Sequence, residues 1–222
     1  MPLDRRASPG ATEAPDVVDE ALAPWEPETL QAGFELEDVR VSADLSRLSA
    51  AGGRIARSRL EGARLADTRL RSLRLIDVVV CDVDLSNADW TGAQLQRVRF
   101  ERCRMTGFVG ASLQAEHVVL RDCKLDLANL RRATFRRATF EDCVLDDADL
   151  GGASLRDTRF AGCGLRRVAI DDARLAGVDL RGSTFAPEGD VLGLRGTIID
   201  SLQLVELGPL LAHGLGIEVR DA

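Results

Sequence analysis

The stretch from Leu120 to Leu150 reads LRDCK LDLAN LRRAT FRRAT FEDCV LDDAD L. Split into fives, each block opens on Leu or Phe, and its fourth residue is small: Cys123, Ala128, Ala133, Ala138, Cys143 and Ala148. Outward from this stretch the register runs unbroken from Leu45 to Phe185. Of its 29 positions, 26 are Leu, Ile, Val, Met, Phe or Trp, and the exceptions are Ala50, Gly110 and Ala115. Charge sharpens the pattern. Residues 41–185 hold 44 charged side chains, and none falls on either column, although the two columns together make up 58 positions. Burying an unpaired charge is costly, so both columns are expected to point inward and the other three residues of every five to face solvent. An α-helix repeats about every 3.6 residues and a strand about every 2. A period of five instead needs a chain that turns a corner every five residues.

The segments Ala88-Asp89-Trp90, Ala128-Asn129-Leu130, Ala148-Asp149-Leu150 and Val178-Asp179-Leu180 resemble the A-(D/N)-L-x-x signature of pentapeptide repeat proteins. The resemblance covers residues 41–185 of the 222 in one register. It implies an all-β solenoid, a right-handed quadrilateral β-helix in which each pentapeptide forms one side and four make a coil of 20 residues. The repeats then give about seven coils, stacked at the roughly 4.8 Å spacing of adjacent strands, closed by a short C-terminal helical cap. The coil length has its own support in the sequence. Cys103, Cys123, Cys143 and Cys163 recur at intervals of 20 in the small column, and Phe100, Phe140 and Phe160 are expected to stack on the same interval in the large one. At Phe108/Gly110 and Leu113/Ala115 the large and small residues change places without a frame shift. This reads as a packing exchange between neighbouring inward positions or as a functional notch.

Residues 1–24 carry Pro2, Pro9, Pro15, Pro24 and several acids, and read as a disordered acidic tail. Residues 25–44 read as an N-terminal capping segment in which Leu30, Phe34, Leu36 and Val39 cover the first coil. Residues 45–185 form the β-helix and 186–222 the C-terminal cap, since a stacked solenoid exposes strand edges at both ends. In the cap, Asp200 with Gln203 resembles a capping box opening a helix, with Leu202, Val205 and Leu210 as its apolar face. Gly208-Pro209 is expected to interrupt that helix and start a second short one. The resemblance implies that such helices cap the stack in some family members and support a dimer in others, so a homodimer through the C-terminal cap stays open.

The four-cysteine ladder admits a metal or redox column, because neighbouring rungs lie at separations a disulfide spans. Packing by a small, readily buried side chain is the reading adopted: Val83 and Ser183 occupy the same column, and parallel inward side chains suit tetrahedral zinc poorly. Cys81 lies off the ladder, on an outward position expected to be accessible. His117 and His213 have no nucleophile at meaningful spacing and read as surface and cap residues. The acid pairs Glu141-Asp142, Asp146-Asp147 and Asp171-Asp172 read as solvated corners. No glycine-rich phosphate loop precedes a helix. No enzyme activity, cofactor or metal is expected.

The net charge of −7 is unevenly placed. Residues 1–40 hold 3 basic and 10 acidic residues (−7), the repeats 24 and 20 (+4), and residues 186–222 hold 2 and 6 (−4). One face of the rod carries Arg54, Arg57, Arg74, Arg97, Arg136, Arg137, Arg156 and Arg174 against Asp77, Glu116 and Asp157, or +5. Extended by Arg131 and Arg132, this face gives the candidate partner-binding residues Arg97, Arg131, Arg132, Arg136, Arg137 and Arg156. Either they dock an acidic partner, the protein's own tails included, or they form a solvated face. The expected function is a non-enzymatic scaffold for protein–protein interaction. The family resemblance implies an alternative, a DNA mimic that binds a type II topoisomerase (DNA gyrase) and modulates quinolone sensitivity. Such a mimic needs its negative charge on the rod, where this chain is positive. Direct nucleic-acid binding is disfavoured because the basic face lacks interleaved aromatics. Five cysteines without a CxxC pair, no apolar run of membrane length, and acids following Arg5-Arg6 make the cytoplasm the expected location.

Overall fold

The computed structural model describes residues 12–25 and 30–220. Its corners explain the period of five. At every fifth residue from Arg47 to Gly182, 28 positions in all, φ is positive, between 42° and 82°. At many of these corners the chain closes a turn: Ala88 N–H donates to the Leu85 carbonyl (3.1 Å), Ala93 to Trp90 (2.9 Å) and Phe108 to Met105 (3.0 Å). That bond, with positive φ at the third residue, is the signature of a type II turn. Seventeen of the 28 corners are Gly, Asp or Asn, the residues that enter the left-handed region at least cost. The recurring Asp or Asn one place before the large column has a second task. Its side-chain oxygen accepts the N–H two residues on: Asp89 from Thr91 (3.0 Å), Asn129 from Arg131 (3.2 Å), Asp149 from Gly151 (2.8 Å) and Asp179 from Arg181 (3.1 Å). The residue type is selected because it braces each turn locally.

Twelve strands result among the described residues: β1 (Ala23–Pro24), β2 (Glu35–Glu37), β3 (Val39–Val41), β4 (Arg54–Glu61), β5 (Arg74–Cys81), β6 (Gln94–Glu101), β7 (Gln114–Arg121), β8 (Thr134–Glu141), β9 (Ser154–Arg156), β10 (Arg159–Ala161), β11 (Gly164–Ala169) and β12 (Thr184–Glu188). Each long strand bends round one corner and serves two sides of the square. The other two sides are held by single bridges, as in Asp44–Arg64–Asp84–Arg104 and Ser49–Arg69–Asp89–Val109. All pairing is parallel. From β4 to β8 the register is 20 residues, Leu75 opposite Leu95 and Phe135 opposite Leu155.

At both ends the step shortens to 19. Leu36 pairs with Ile55 and Val41 with Leu60 at the first turn, and Val168 with Pro187 and Asp179 with Ile198 at the last. One residue is missing between Val41 and Leu45, so Leu36 and Val41 are buried one place out of the five-residue frame. The segment expected to cover the first coil is therefore itself coiled, and the solenoid has about eight turns rather than seven.

From Ala50 to Phe185 every residue of both columns is buried, and only Ala43, Leu45 and Leu48 at the start are half-buried. The outward three of every five are not uniformly exposed, however. Ala56, Asp77, Val79, Cys81, His117 and Asp179 are buried too. Cys81 is not the accessible thiol its position suggests. Arg102 Nη2 lies 2.8 Å from its sulfur and the thiol donates to Asp82 at 3.2 Å. Burial, reinforced by that carboxylate, pushes the thiol up to about 11. In the large column only Phe140 and Phe160 stack (4.5 Å, 12°), because Leu120 separates Phe100 from them. The Phe108/Gly110 exchange is packing. The Phe108 ring meets Trp90 edge-on at 5.5 Å, and a Cβ on Gly110 would come within 2.8 Å of it.

In the C-terminal cap a short 3-10 turn (Val191–Leu194) precedes one α-helix, α1 (Ser201–Gly214), which Gly208-Pro209 does not divide in two. Pro209 sits inside it; the bond it cannot donate belongs to the carbonyl of Val205, an exposed residue on the outer face. The capping box of Asp200 and Gln203 is present. The inward face is Gln203 and Leu207, with Leu210 and Leu211 half-buried, whereas Leu202 and Val205 point outward, 67% and 74% exposed. Gln203 is the residue that seals the stack. Its Nε2 donates to the carbonyls of Leu180 (2.6 Å) and Ser183 (2.7 Å) on the last complete coil.

Candidate interaction surface

The face built from the first halves of β4 to β8 and from β9 carries the arginine excess. Parallel strands hold its side chains in straight rows, one residue per coil. A shallow groove of about 420 Å³ runs across it, bordered by Arg74, Gln94, Gln96, Glu116 and Arg136. Ion pairs between neighbouring coils consume many of the rod's charges. Arg102 pairs with Asp82 (2.7 Å), Arg121 with Glu141 (2.7 Å), Arg166 with Asp146 (3.3 Å) and Arg167 with Asp147 (2.6 Å). Each partner lies 20 residues away, so Glu141 and the Asp146-Asp147 pair are bound to arginines one coil over, whereas Asp142, Asp171 and Asp172 form no ion pair among the described residues. Such exposed pairs contribute roughly 0–1 kcal/mol each, and they organise the surface more than they stabilise it.

The six candidate arginines divide into two groups. Arg97 makes a bidentate pair with the buried carboxylate of Asp77 (2.6 and 2.7 Å). The Arg97 hydrogen bonds, helped by the Asp16 N–H, hold Asp77 below its ordinary carboxylate range against the opposing cost of burial. Arg131 pairs with Asp149 (3.0 Å), and Arg137 with Glu116 (3.1 Å). Arg132, Arg136 and Arg156 are exposed and form no ion pair among the described residues. Arg136 and Arg156 are also direct cross-strand partners between β8 and β9.

The N-terminal segment reaches this surface too. Residues 1–11 of the expected disordered tail lie outside the described residues. Over residues 12–24 the structure differs from the expectation, because the chain runs along the rod and is anchored to it. Glu13 N–H donates to His117 Nδ1 (2.9 Å), Asp16 N–H to Asp77 Oδ1 (3.1 Å), and the Asp19 carboxylate takes Arg59 (2.8 and 3.1 Å). β1 then pairs with β3. His117 is thus a buried hydrogen-bond acceptor, also 3.3 Å from Arg137 Nη1 through Nε2, and not a surface residue. His213 is exposed in the last turn of α1. The sequence alone puts His117 at the surface and Asp77 only among the acids of the arginine face, because both sit at corners, where nothing local marks them as acceptors for a distant segment.

The ladder residues Cys103, Cys123, Cys143 and Cys163 are buried and unbridged, with Phe100, Phe140 and Phe160 buried in the adjoining column. Their thiols donate to backbone carbonyls, Cys103 to Val80 (3.4 Å) and Cys163 to Phe140 (3.5 Å) among them. No group of three or more His, Cys, Asp and Glu among the described residues is arranged to hold a metal ion. No helix among them is long and apolar enough to cross a membrane.

The fold and surface define a class: a square, parallel β-solenoid that presents rows of side chains on flat faces. The chain belongs to the pentapeptide repeat family. It matches the family patterns described as pentapeptide repeats (8 copies) over residues 74–109 and pentapeptide repeat region over residues 114–186. Among solved structures, it is similar to a trypsin-treated form of QnrB1, a plasmid-mediated fluoroquinolone resistance protein. The identity is 19%, the TM-score 0.54, and the match covers 86% of this chain and 99% of that one. A second treated form of the same protein gives 18% identity, a TM-score of 0.52 and the same coverages. HetL, a pentapeptide repeat protein involved in heterocyst differentiation regulation in Nostoc sp. strain PCC 7120, is 18% identical with a TM-score of 0.33, covering 76% of this chain and 85% of its own. At these identities the likeness is one of fold. No curated protein matches the chain in sequence.

Proposed function

We propose that this pentapeptide repeat scaffold is a non-enzymatic docking protein whose arginine-lined face binds an acidic protein surface. One observation carries the reading. Arg136 and Arg156 stand side by side on adjacent rungs, both exposed and neither in an ion pair among the described residues, with Arg132 round the corner in the same condition. Like charges directly opposed across strands are destabilising, and an anionic partner relieves that cost. The test is to reverse all three to Glu and measure partner capture by the purified protein at low and high salt. Capture by the native protein that weakens with salt and is lost in the variant supports the reading. Capture unchanged by the reversal overturns it.

The outer face of α1 supports a second contact, with another copy of the chain. Leu202, Leu204 and Val205 project from the cap at 67%, 54% and 74% exposure, and apolar side chains gathered at one end of a rod mark an interface. Light scattering on Leu202→Glu/Val205→Glu tests it: a dimer in the native protein and a monomer in the variant are expected, and a native monomer at tens of micromolar sinks the idea.

The fold likeness to a fluoroquinolone resistance protein favours one further reading, a DNA mimic directed at a type II topoisomerase. The rod charge of +4 argues against it. Inhibition of gyrase supercoiling by micromolar protein, or protection of gyrase from a quinolone, would reinstate it over the docking reading.

A further inference from the structure

The row of corners Arg57, Asp77, Arg97, His117 and Arg137 runs straight down the rod at one residue per coil. Two of the five are not arginine, and these two accept backbone N–H groups from the N-terminal segment. The spacing is commensurate. Glu13 and Asp16 are three residues apart and meet His117 and Asp77, two coils apart. Three extended residues reach about 10 Å, and two coil spacings are about 9.6 Å. Pro15, which has no N–H to satisfy, lies between them in the chain. On either side of this pair the segment is held by Thr12 at Thr139 (3.2 Å) and by Asp19 at Arg59 (2.8 Å). His117 and Asp77 are each 7% exposed, whereas Glu13, Ala14, Asp16, Val18, Asp19 and Glu20 above them are exposed. The rod therefore supplies a fixed row of acceptors and cations, while the segment on it buries little of itself. Residues 12–25 hold four acids and no base.

We propose that this row is a binding track for an extended acidic peptide, that residues 12–20 occupy it in cis as a displaceable strap tethered by β1, and that an acidic segment of a partner binds by taking the strap's place. The track recognises backbone N–H groups at a three-residue spacing through His117 and Asp77, and carboxylates through Arg59 and, at 3.8 Å from Asp19, Arg40. The strap lies beside the free arginines, so its release joins the track to the docking face. Only that consequence rests on the docking reading; the track itself does not.

The test uses a fluorescein-labelled synthetic peptide of residues 12–25 and two full-length proteins. One is the native chain. The other carries Glu13→Arg, Asp16→Arg and Asp19→Arg, exposed changes that place cations against Arg97, Arg137 and Arg59 and lift the strap off. A tethered occupant acts at millimolar effective concentration, so the variant is expected to bind the peptide at least tenfold more tightly than the native chain. A second peptide, N-methylated at Glu13 and Asp16, keeps every charge but lacks the two donors. Its binding is expected to fall at least tenfold. Equal binding by the two proteins, or equal binding of the two peptides, overturns the proposal, the latter because charge alone would then account for it. Hydrogen exchange on the native chain needs no variant: the Glu13 and Asp16 amides should exchange at least tenfold slower than unstructured peptide, and free exchange overturns the strap. If these results hold while reversal of Arg132, Arg136 and Arg156 leaves partner capture intact, the docking reading fails and the track stands.

Discussion

The two ends of the rod solve one problem in opposite ways. A stack of parallel strands must stop without presenting its open edge to another stack. At the start, the chain shortens its first turn by one residue, places Phe34 against Gly53, half-buries Trp25 and Leu30 against the core, and folds its acidic lead back along the outside. Between Val18 and Leu127 no large apolar side chain among the described residues is exposed. At the finish, a helix lies across the last coil, and Gln203 takes two of its carbonyls. Eight of the eleven exposed large apolar residues among the described residues lie at or beyond Leu192. Both ends therefore end the ladder, but only the second leaves an apolar surface. The lesson is that capping and burial are separable: a cap needs to satisfy hydrogen bonds inward and can show anything outward.

The largest expected effect comes from breaking the finish. Gln203→Ala removes donors from two buried carbonyls at about 1–3 kcal/mol each, so unfolding in urea should show a loss of about 3 kcal/mol. A loss below about 1 kcal/mol would mean that the helix lies on the end without sealing it. At the start, Gly53→Ala drives a methyl into the Phe34 ring. Because Phe34 is only half-buried and can shift, the cost should be smaller, about 1–2 kcal/mol, with loss of protection at the first turn before the rest. Acid probes both ends together. Hydrogen bonds from Arg59 hold Asp19 below its ordinary 3.8, and the backbone N–H groups of Gln203 and Gly182 do the same for Asp200. A carboxylate whose pKa is lowered by folding stabilises the native state above its unfolded value, and that contribution is lost as pH falls through the folded one. Thermal stability should therefore be flat above about pH 5 and fall below about pH 4; a loss beginning near neutrality would contradict it. The smallest effect is a control from mid-rod, far from either cap. Leu127 is 60% exposed at a corner with φ of 58°. Leu127→Asn should raise stability by up to about 1 kcal/mol, with no change at either end.

Much of the rod is legible in the sequence because its rule is local. Inward columns, the 20-residue rung spacing, the burial of the cysteine ladder and the capping box at Asp200 all follow from residues a few places apart or from a fixed period. The ends break that period. Leu36 and Val41 are core residues one place off the frame, and a reading by fives misses them. Leu202 and Val205 suggest an inward apolar face, yet the helix turns Gln203 and Leu207 to the rod because the coil below offers carbonyls to a polar side chain. Cys81 occupies an outward position and is buried all the same, since Arg102 one coil on lies across it.

What the sequence determined by itself is the repeat: a chain whose corners, columns and charges recur every five residues can bury its columns only by coiling, and the coil length then follows. What the tertiary structure decided is everything that depends on neighbours 20 or more residues away. It set which arginines are paired across coils and which are free. It also carried an acidic lead segment to His117 and Asp77, 104 and 61 residues along the chain from their partners. Periodicity places a residue on a row, but whether that row is covered, paired or open depends on contacts between segments that share no local pattern.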